Sequence, residues 1–348
     1  MQFAENHHPI IFPGKHLEDW AHWFENHSFT SVFVLVDSET SEHCLPLVAH
    51  LPGFNQAITL KMPSGERYKN LETAKNIWEE LLLHGADRKS LLIGLGGGVV
   101  TDMAGFIGST FKRGISTLHF PTSLMGMVDA SIGGKTGVDL NSAKNQIGTF
   151  YQPEGVFVYS KFLETLPDLE IQSGFAEMLK YGFVGNPNFL KTLENHKDFK
   201  VREEDLVFSA HFKKKIVSQD PFEKGIRAIL NFGHTAGHAL EAFYLDHKMP
   251  TTHGFCVALG MMVALDLSKN IGLSDDEYEM GMRILNQKFP FPKFSEIDLP
   301  EIASYLKYDK KNESGKLKFV LLKSIGDPVW NHEISSAEVV NAMRRVWL

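Results

Sequence analysis

Ser90-Leu91-Leu92-Ile93-Gly94-Leu95-Gly96-Gly97-Gly98-Val99-Val100-Thr101-Asp102 is the stretch that decides the fold. Residues 90–95 form a short apolar run that three consecutive glycines break. Apolar residues then resume at helical spacing over 99–108. An apolar run of this length, bounded by glycine, reads as a buried parallel strand. Successive glycines let backbone amides approach a pyrophosphate closely, and a helix N-terminus favours negative charge. Without a ligand the same residues make a tight strand-to-helix turn. The spacing is not G-x-G-x-x-G, and it sits on a later strand than the dinucleotide fingerprint prefers.

On either side of this stretch the first half alternates strand and helix. Residues 31–36 (SVFVLV) read as a strand ending at Asp37, and 117–120 (TLHF) as another. Residues 70–84 carry Leu71, Ala74, Ile77, Trp78, Leu81 and Leu82 at helical spacing and stop at Gly85. Pro121-Thr122-Ser123 reads as a helix start. Such alternation implies a parallel sheet covered on both faces. Past about residue 160 helices dominate, at roughly 167–184, 188–193, 203–219, 229–244, 253–270 and 275–288, with a strand at 316–323. The expected layout is a Rossmann-like α/β domain over 1–163 and a mainly α-helical domain over 164–348. The active site is expected in the cleft between them.

Composition narrows the function. The chain has 348 residues, enough for two domains with sizeable cores. Its 35 Lys+Arg against 42 Asp+Glu leave a net charge of −7, which argues against nucleic-acid or anionic-membrane partners. Cys44 and Cys256 are too few for a disulfide framework or a Cys-rich metal module. The polar start, Met1-Gln2-Phe3-Ala4-Glu5-Asn6, lacks a signal pattern, and the apolar run 255–265 is short of a bilayer span. A cytoplasmic protein with a small-molecule partner is expected.

Three further segments carry chemistry. Asp129-Ala130-Ser131-Ile132-Gly133-Gly134-Lys135-Thr136-Gly137 is a second glycine-rich loop, but not a full Walker A motif. With Lys144-Asn145 close behind, it favours an anionic substrate, although a lone lysine is ordinarily just solvated. Glu177 and Lys180 share one helical face among small and apolar neighbours, where a carboxylate that stays charged wants a cation. His234 and His238 stand at i, i+4 on a predicted helix, and His253 follows fifteen residues after His238. Sixteen histidines make one such pair expected by chance. Added to Glu177, however, two of the three fit a catalytic metal site with one open position. Spacing alone does not choose which two.

Taken in order, GGGVVTDMAGF (96–106), FKRG (111–114), FPTS (120–123), VDASIGGKTGVD (128–139), KNQIGTFYQP (144–153), LPDLEIQSGFAEMLKYG (166–182), GIRAILNFGHTAGHA (225–239) and HGFCVALGM (253–261) resemble the 3-dehydroquinate synthase family from about residue 60 onward. The resemblance implies a lyase that converts 3-deoxy-D-arabino-heptulosonate 7-phosphate (DAHP) to 3-dehydroquinate and phosphate. The implied route is NAD-dependent transient oxidation, phosphate elimination, reduction, ring opening and aldol closure. It implies NAD and a divalent metal, zinc or cobalt, in a homodimer. By position it makes Glu177, His234 and His253 the metal ligands, and gives His238 to the substrate near its phosphate. Gly97, Gly98, Val99 and Asp102 would hold NAD, with Asp37, Glu66, Lys69, Thr122, Ser123, Phe162 and Thr165, and with Lys135 and Lys144 shared with the substrate. Asp129, Asn145, Lys180, Lys213, Arg227, Asn231 and Lys310 (or Lys311) would line the substrate pocket. Arg113 would reach the phosphate in the neighbouring subunit. Where the family commonly has His-Gly-Glu, this chain has His253-Gly254-Phe255, so a carboxylate beside the third ligand is replaced. Another sugar phosphate cyclase, or a metal-dependent alcohol or glycerol dehydrogenase, is the alternative reading.

Overall fold

The structure, a computed structural model, describes residues 10–11, 17–140, 143–291, 293–296, 298–306 and 316–348. The chain forms two compact units. The first runs to Pro167 and includes Leu206–Lys214, and the second comprises Asp168–Asp205 and Lys215–Leu348. The helix Glu203–Gln219 is therefore divided between them.

The strands of the first unit are β1 (Ile10–Ile11), β2 (Val32–Asp37), β3 (Ile58–Met62), β4 (Leu91–Gly96), β5 (Ser116–Pro121), β6 (Lys135–Leu140), β7 (Ala143–Phe150) and β8 (Val156–Phe157). Six of them make one parallel sheet in the order β1-β8-β5-β4-β2-β3, and β6 and β7 form a separate antiparallel pair. Every residue of β4 is buried, as a central parallel strand covered on both faces requires. The predicted strands and helices of this half are present within a residue or two. β1, β3, β6, β7 and β8 went unanticipated. β3 alternates exposed and buried positions in a strand of only five residues, and β6 and β7 begin among polar residues.

The connection β2 to β3 runs to one side of the sheet and β4 to β5 runs to the other, so the order reverses between β2 and β4. The carboxyl edge at such a reversal is where open α/β sheets bind ligands. Leu35 pairs with Gly94 in the β2–β4 register, which sets Asp37 opposite Gly96 two residues further on. The helix Gly98–Thr110 then leaves β4 with Gly97 as its N-cap.

The second unit contains the helices Asp168–Gly185, Pro187–Glu194, His234–Asp246, His253–Ser268, Asp275–Lys288, Asp298–Tyr305 and Ser336–Trp347, with an antiparallel pair of β9 (Lys316–Ser324) and β10 (Asp327–Ser335). The segment His253–Ile271 is long and apolar enough to cross a membrane, but most of it is buried within the protein. Within it the His253–Ser268 helix is buried at every position except His253 and Phe255, which makes it the core of this unit. The expected continuous helix over 229–244 is corrected: a 3-10 turn, Ile226–Asn231, ends before Gly233, and a new helix starts at His234. Gly233 has φ +83°, and a Cβ there would stand 2.5 Å from Met261 Cγ and 2.8 Å from the Val257 carbonyl. Only glycine fits that position, so the chain must turn there.

His119 in β5 was legible only as a strand residue. It is buried beneath the Gly98–Thr110 helix, and its Nδ1 has no hydrogen-bond partner among the described residues. Gly94 and Gly105 leave it room, since Cβ atoms there would approach its ring nitrogens to 3.3 and 3.8 Å. Burial pushes its pKa down to about 4. The unfolded chain binds a proton on this group near its ordinary value of about 6.5. Stability from the neutral ring is therefore full above pH 6.5 and is lost as pH falls toward 4. His119→Gln should lose less stability than the parent between pH 7.5 and about 5, by on the order of 2 kcal/mol. Urea midpoints at the two pH values measure the difference, and parallel losses in the two proteins would contradict it.

Candidate functional site

Within each unit the structure brings part of the expected residues together. In the first, the opening turn of the Gly98–Thr110 helix has no side-chain cap, which leaves its amides for a ligand. Packing is closest at Gly96, where a Cβ would meet Val100 at 2.5 Å; one at Gly97 would crowd the Ser123 hydroxyl at 3.2 Å, and one at Gly98 Ala130 Cβ at 3.2 Å. Val99 follows in the same turn. Thr122 and Ser123, both buried, continue from β5, with Thr122 N–H donating to the Gly96 carbonyl at 2.9 Å. Asp37 ends β2, where its Oδ1 accepts from Thr40 N–H at 2.8 Å and caps the helix Ser38–His43.

Lys69 ties this region together. Buried at 3% exposure, it donates to Asp102 Oδ2 at 2.6 Å and to Asn145 Oδ1 at 2.7 Å, with Glu66 Oε1 3.9 Å away. Burial disfavours its ammonium, yet Asp102 and Glu66 outweigh that and hold its pKa above the ordinary value. Burial pushes the Asp102 carboxyl up against the pull of Lys69. Asn145 has φ +53°, held by its N–H donating to Asp139 Oδ1 at 2.7 Å. Lys213 donates to the Asp129 carbonyl at 2.6 Å and pairs with its carboxylate at 2.8 Å. Lys135 and Lys144 are exposed on β6 and β7, Thr165 is exposed, and Phe162 is buried against Tyr159. Arg113 is exposed and has φ +72° directly after Lys112 at +47°. Lys310 and Lys311 lie outside the described residues.

In the second unit Glu177 sits at 0% exposure midway along the Asp168–Gly185 helix. His234 Nε2 lies 3.6 Å and His253 Nε2 3.7 Å from its Oε1. Ring nitrogens of His234, His238 and His253 all lie within 4.8 Å of one another, and His238 is the exposed one. Neither carboxylate oxygen of Glu177 has a hydrogen-bond partner among the described residues, although Lys180 forms an ion pair with Oε2. His253 Nδ1 donates to Glu241 Oε2 at 3.0 Å, and His234 Nδ1 faces the Phe232 carbonyl at 3.3 Å. A carbonyl and a carboxylate only accept, so each Nδ1 carries a proton, and in the neutral ring Nε2 is the acceptor that faces Glu177. Glu177 Oε1 and the two Nε2 atoms thus converge as acceptors, while Lys180 faces the other carboxylate oxygen. Distances of 3.6 and 3.7 Å are too long for hydrogen bonds. Ligands bonded at about 2.0–2.1 Å with tetrahedral angles stand roughly 3.4 Å apart, which is close to the spacing here. The donor set suits a divalent cation.

Helix packing creates this convergence. A Cβ on Gly254 would meet the Ser173 carbonyl at 2.0 Å, and one on Gly260 the Gly233 carbonyl at 2.0 Å. Nearby, buried Arg227 donates to the Pro221 carbonyl at 2.6 Å, and Asn231 donates to Glu223 Oε1 at 2.6 Å. Glu241 is the residue that the sequence reading missed. Its signal was its place seven residues after His234 and three after His238, on the same helical face.

Solved structures place this architecture among the sugar phosphate cyclases. A 2-deoxy-scyllo-inosose synthase complexed with carbaglucose-6-phosphate, NAD+ and Co2+ superposes with a TM-score of 0.82 at 25% identity, covering 97% of this chain and 96% of that one. The 2-epi-5-epi-valiolone synthase of Streptomyces hygroscopicus subsp. jinggangensis, with NAD+ and Zn2+ bound, also gives 0.82, at 21% identity over 99% and 98% of the two chains. Family models for the 3-dehydroquinate synthase N-terminal and C-terminal regions match residues 59–173 and 174–312. The 3-dehydroquinate synthase of Parabacteroides distasonis is 38% identical over 326 residues, 90% of this chain and 91% of that protein. The chain belongs to the 3-dehydroquinate synthase family.

The acceptor cluster can be dissected by metal content after desalting. Glu177→Gln and His253→Ala should fall to background while His238→Ala keeps about one metal per chain. Metal lost from His238→Ala and kept in His253→Ala would make the i, i+4 histidine pair the ligands instead.

Proposed function

We propose that this chain converts DAHP to 3-dehydroquinate and phosphate, with NAD and a divalent metal, zinc or cobalt, as resident groups. The observation that supports the reading is the convergence of the His234 and His253 Nε2 atoms on Oε1 of the buried Glu177 carboxylate. Family membership supports the reaction. The proposed division of labour gives NAD to the α/β unit and the metal, with much of the substrate, to the helical one.

When bound, the metal supplies Lewis acidity toward the substrate hydroxyls, and NAD supplies a hydride acceptor that later serves as donor in the same turnover. The chain's own residues chiefly position an anion. Gly97, Gly98 and Val99 present amides to the cofactor's pyrophosphate, and Asp102, fixed by Lys69, borders them, with Asp37, Glu66, Thr122, Ser123, Phe162 and Thr165 around the cofactor. Lys135, Lys144 and Asn145 serve the substrate from β6 and β7, and Lys213 holds Asp129 beside them. Lys180, Arg227, Asn231 and His238 do so from the helical unit, and Lys310 completes the set. Cations and amides held rigidly by a folded scaffold stabilise developing negative charge without reorganising, which suits a phosphate elimination. The leaving phosphate itself takes the substrate proton, so no dedicated base is assigned.

On this reading the enzyme serves the second step of the shikimate pathway, toward chorismate and the aromatic amino acids, as a cytoplasmic homodimer. Two successive left-handed residues, Lys112 and Arg113, hold a strained loop of the kind found at functional sites. Arg113 is assigned to the phosphate bound by a second copy. Mixed dimers of inactive Arg113→Ala and inactive Lys135→Ala chains should regain part of the activity, and inert mixed dimers would oppose a shared site.

The reaction is tested with purified chain, DAHP and no NAD beyond what is bound. Phosphate should appear over many turnovers without free NADH. NADH accumulating in step with product, and depending on added NAD, would indicate a dehydrogenase. Turnover of a different sugar phosphate in place of DAHP would indicate a sister cyclase.

A further inference from the structure

We propose that Glu241 is a positioning residue for the metal site: its carboxylate fixes the His253 ring so that Nε2 presents its lone pair toward Glu177. This rests on the metal reading above and assigns a residue outside the ligand set.

The geometry is direct. Glu241 is buried at 6% exposure, and its Oε2 accepts from His253 Nδ1 at 3.0 Å across two helices. That bond fixes which ring nitrogen carries the proton and stops rotation about the Cβ–Cγ bond. An anionic acceptor also raises the basicity of the opposite nitrogen, and so its strength as a ligand. His234 Nδ1 faces the neutral Phe232 carbonyl instead, at 3.3 Å. The residue that follows His253-Gly254 does not compete for the role. Phe255 packs edge-on against Tyr244, with ring centroids 6.5 Å apart. The carboxylate that steadies the third ligand thus comes from the helix bearing His234 and His238, not from the ligand's own helix.

Cobalt titration of the chelator-stripped chain provides the test, read by visible absorption and by competition with a chromophoric chelator, together with the melting temperature of the metal-free protein. Glu241→Ala should bind cobalt about 10- to 100-fold more weakly than the parent and give an altered cobalt spectrum. Glu241→Gln keeps the size and a neutral acceptor, so it should fall between the two and also decides the matter if the alanine variant fails to fold. Unchanged affinity and spectrum in both variants would overturn the proposal. So would a lower metal-free melting temperature with parental affinity, which would mark Glu241 as a fold residue only. Glu177→Gln runs alongside as the control. If it binds cobalt as the parent does, or the parent binds none, the metal reading itself falls, and this proposal with it.

Discussion

Gly254 and Ser173 touch backbone to backbone, and the metal-type cluster exists because they do. A Cβ at Gly254 would lie 2.0 Å from the Ser173 carbonyl, so no other residue lets these two helices come so near. The contact is closed by Gly254 N–H donating to Ser173 Oγ at 3.0 Å. One helical turn beyond Ser173 stands Glu177, and immediately before Gly254 stands His253. The approach that packs the helices is the same one that sets carboxylate and imidazole 3.7 Å apart. Gly260 does the equivalent for the third helix, against Gly233 and Gly237, and carries His234 to the same carboxylate. An added methyl group at either crossing would push a helix aside by more than the tolerance of a coordination sphere.

The first unit solves a different problem. Its buried cations are fixed by partners within the fold, Lys69 between Asp102 and Asn145 and Lys213 against Asp129. Taking such charges out of water is expensive, and each is tolerable only because its partner is fixed nearby. The order of the sheet supplies that fixity. β2, β4 and β5 end side by side, so Asp37, Gly97 and Thr122 reach one edge from three separate parts of the chain.

Much of this was legible in the sequence, and the remainder failed for identifiable reasons. Short apolar runs, ended by Asp37, by the three glycines from Gly96 and by Pro121, locate β2, β4 and β5 because strands buried on both faces need little else. β10 gave no such signal, since most of its residues are exposed. Hydrophobic spacing carried the expected helix straight through Phe232 and Gly233, because periodicity does not report a left-handed turn demanded by a neighbouring helix. The i, i+4 histidines were visible at once. That His253 approaches the same carboxylate was not, because a helix crossing leaves no mark on local spacing; the family likeness supplied it. Glu241 stayed hidden because a carboxylate on a helix ordinarily reads as solvated surface.

The His253–Ser268 helix also bears on how the protein is made. It has no polar face at all, and part of what covers it is synthesised later: β9, and the helix Ser336–Trp347, whose Trp347 Nε1 donates to the Leu259 carbonyl at 3.2 Å. A nascent chain in which residue 268 has just emerged therefore presents an apolar helix that still lacks these covering elements. Such transiently open surfaces recruit chaperones and seed aggregates. The exposure lasts until the helix Ser336–Trp347 has docked, so a chain that lacks this helix would leave that flank of the second unit's core uncovered.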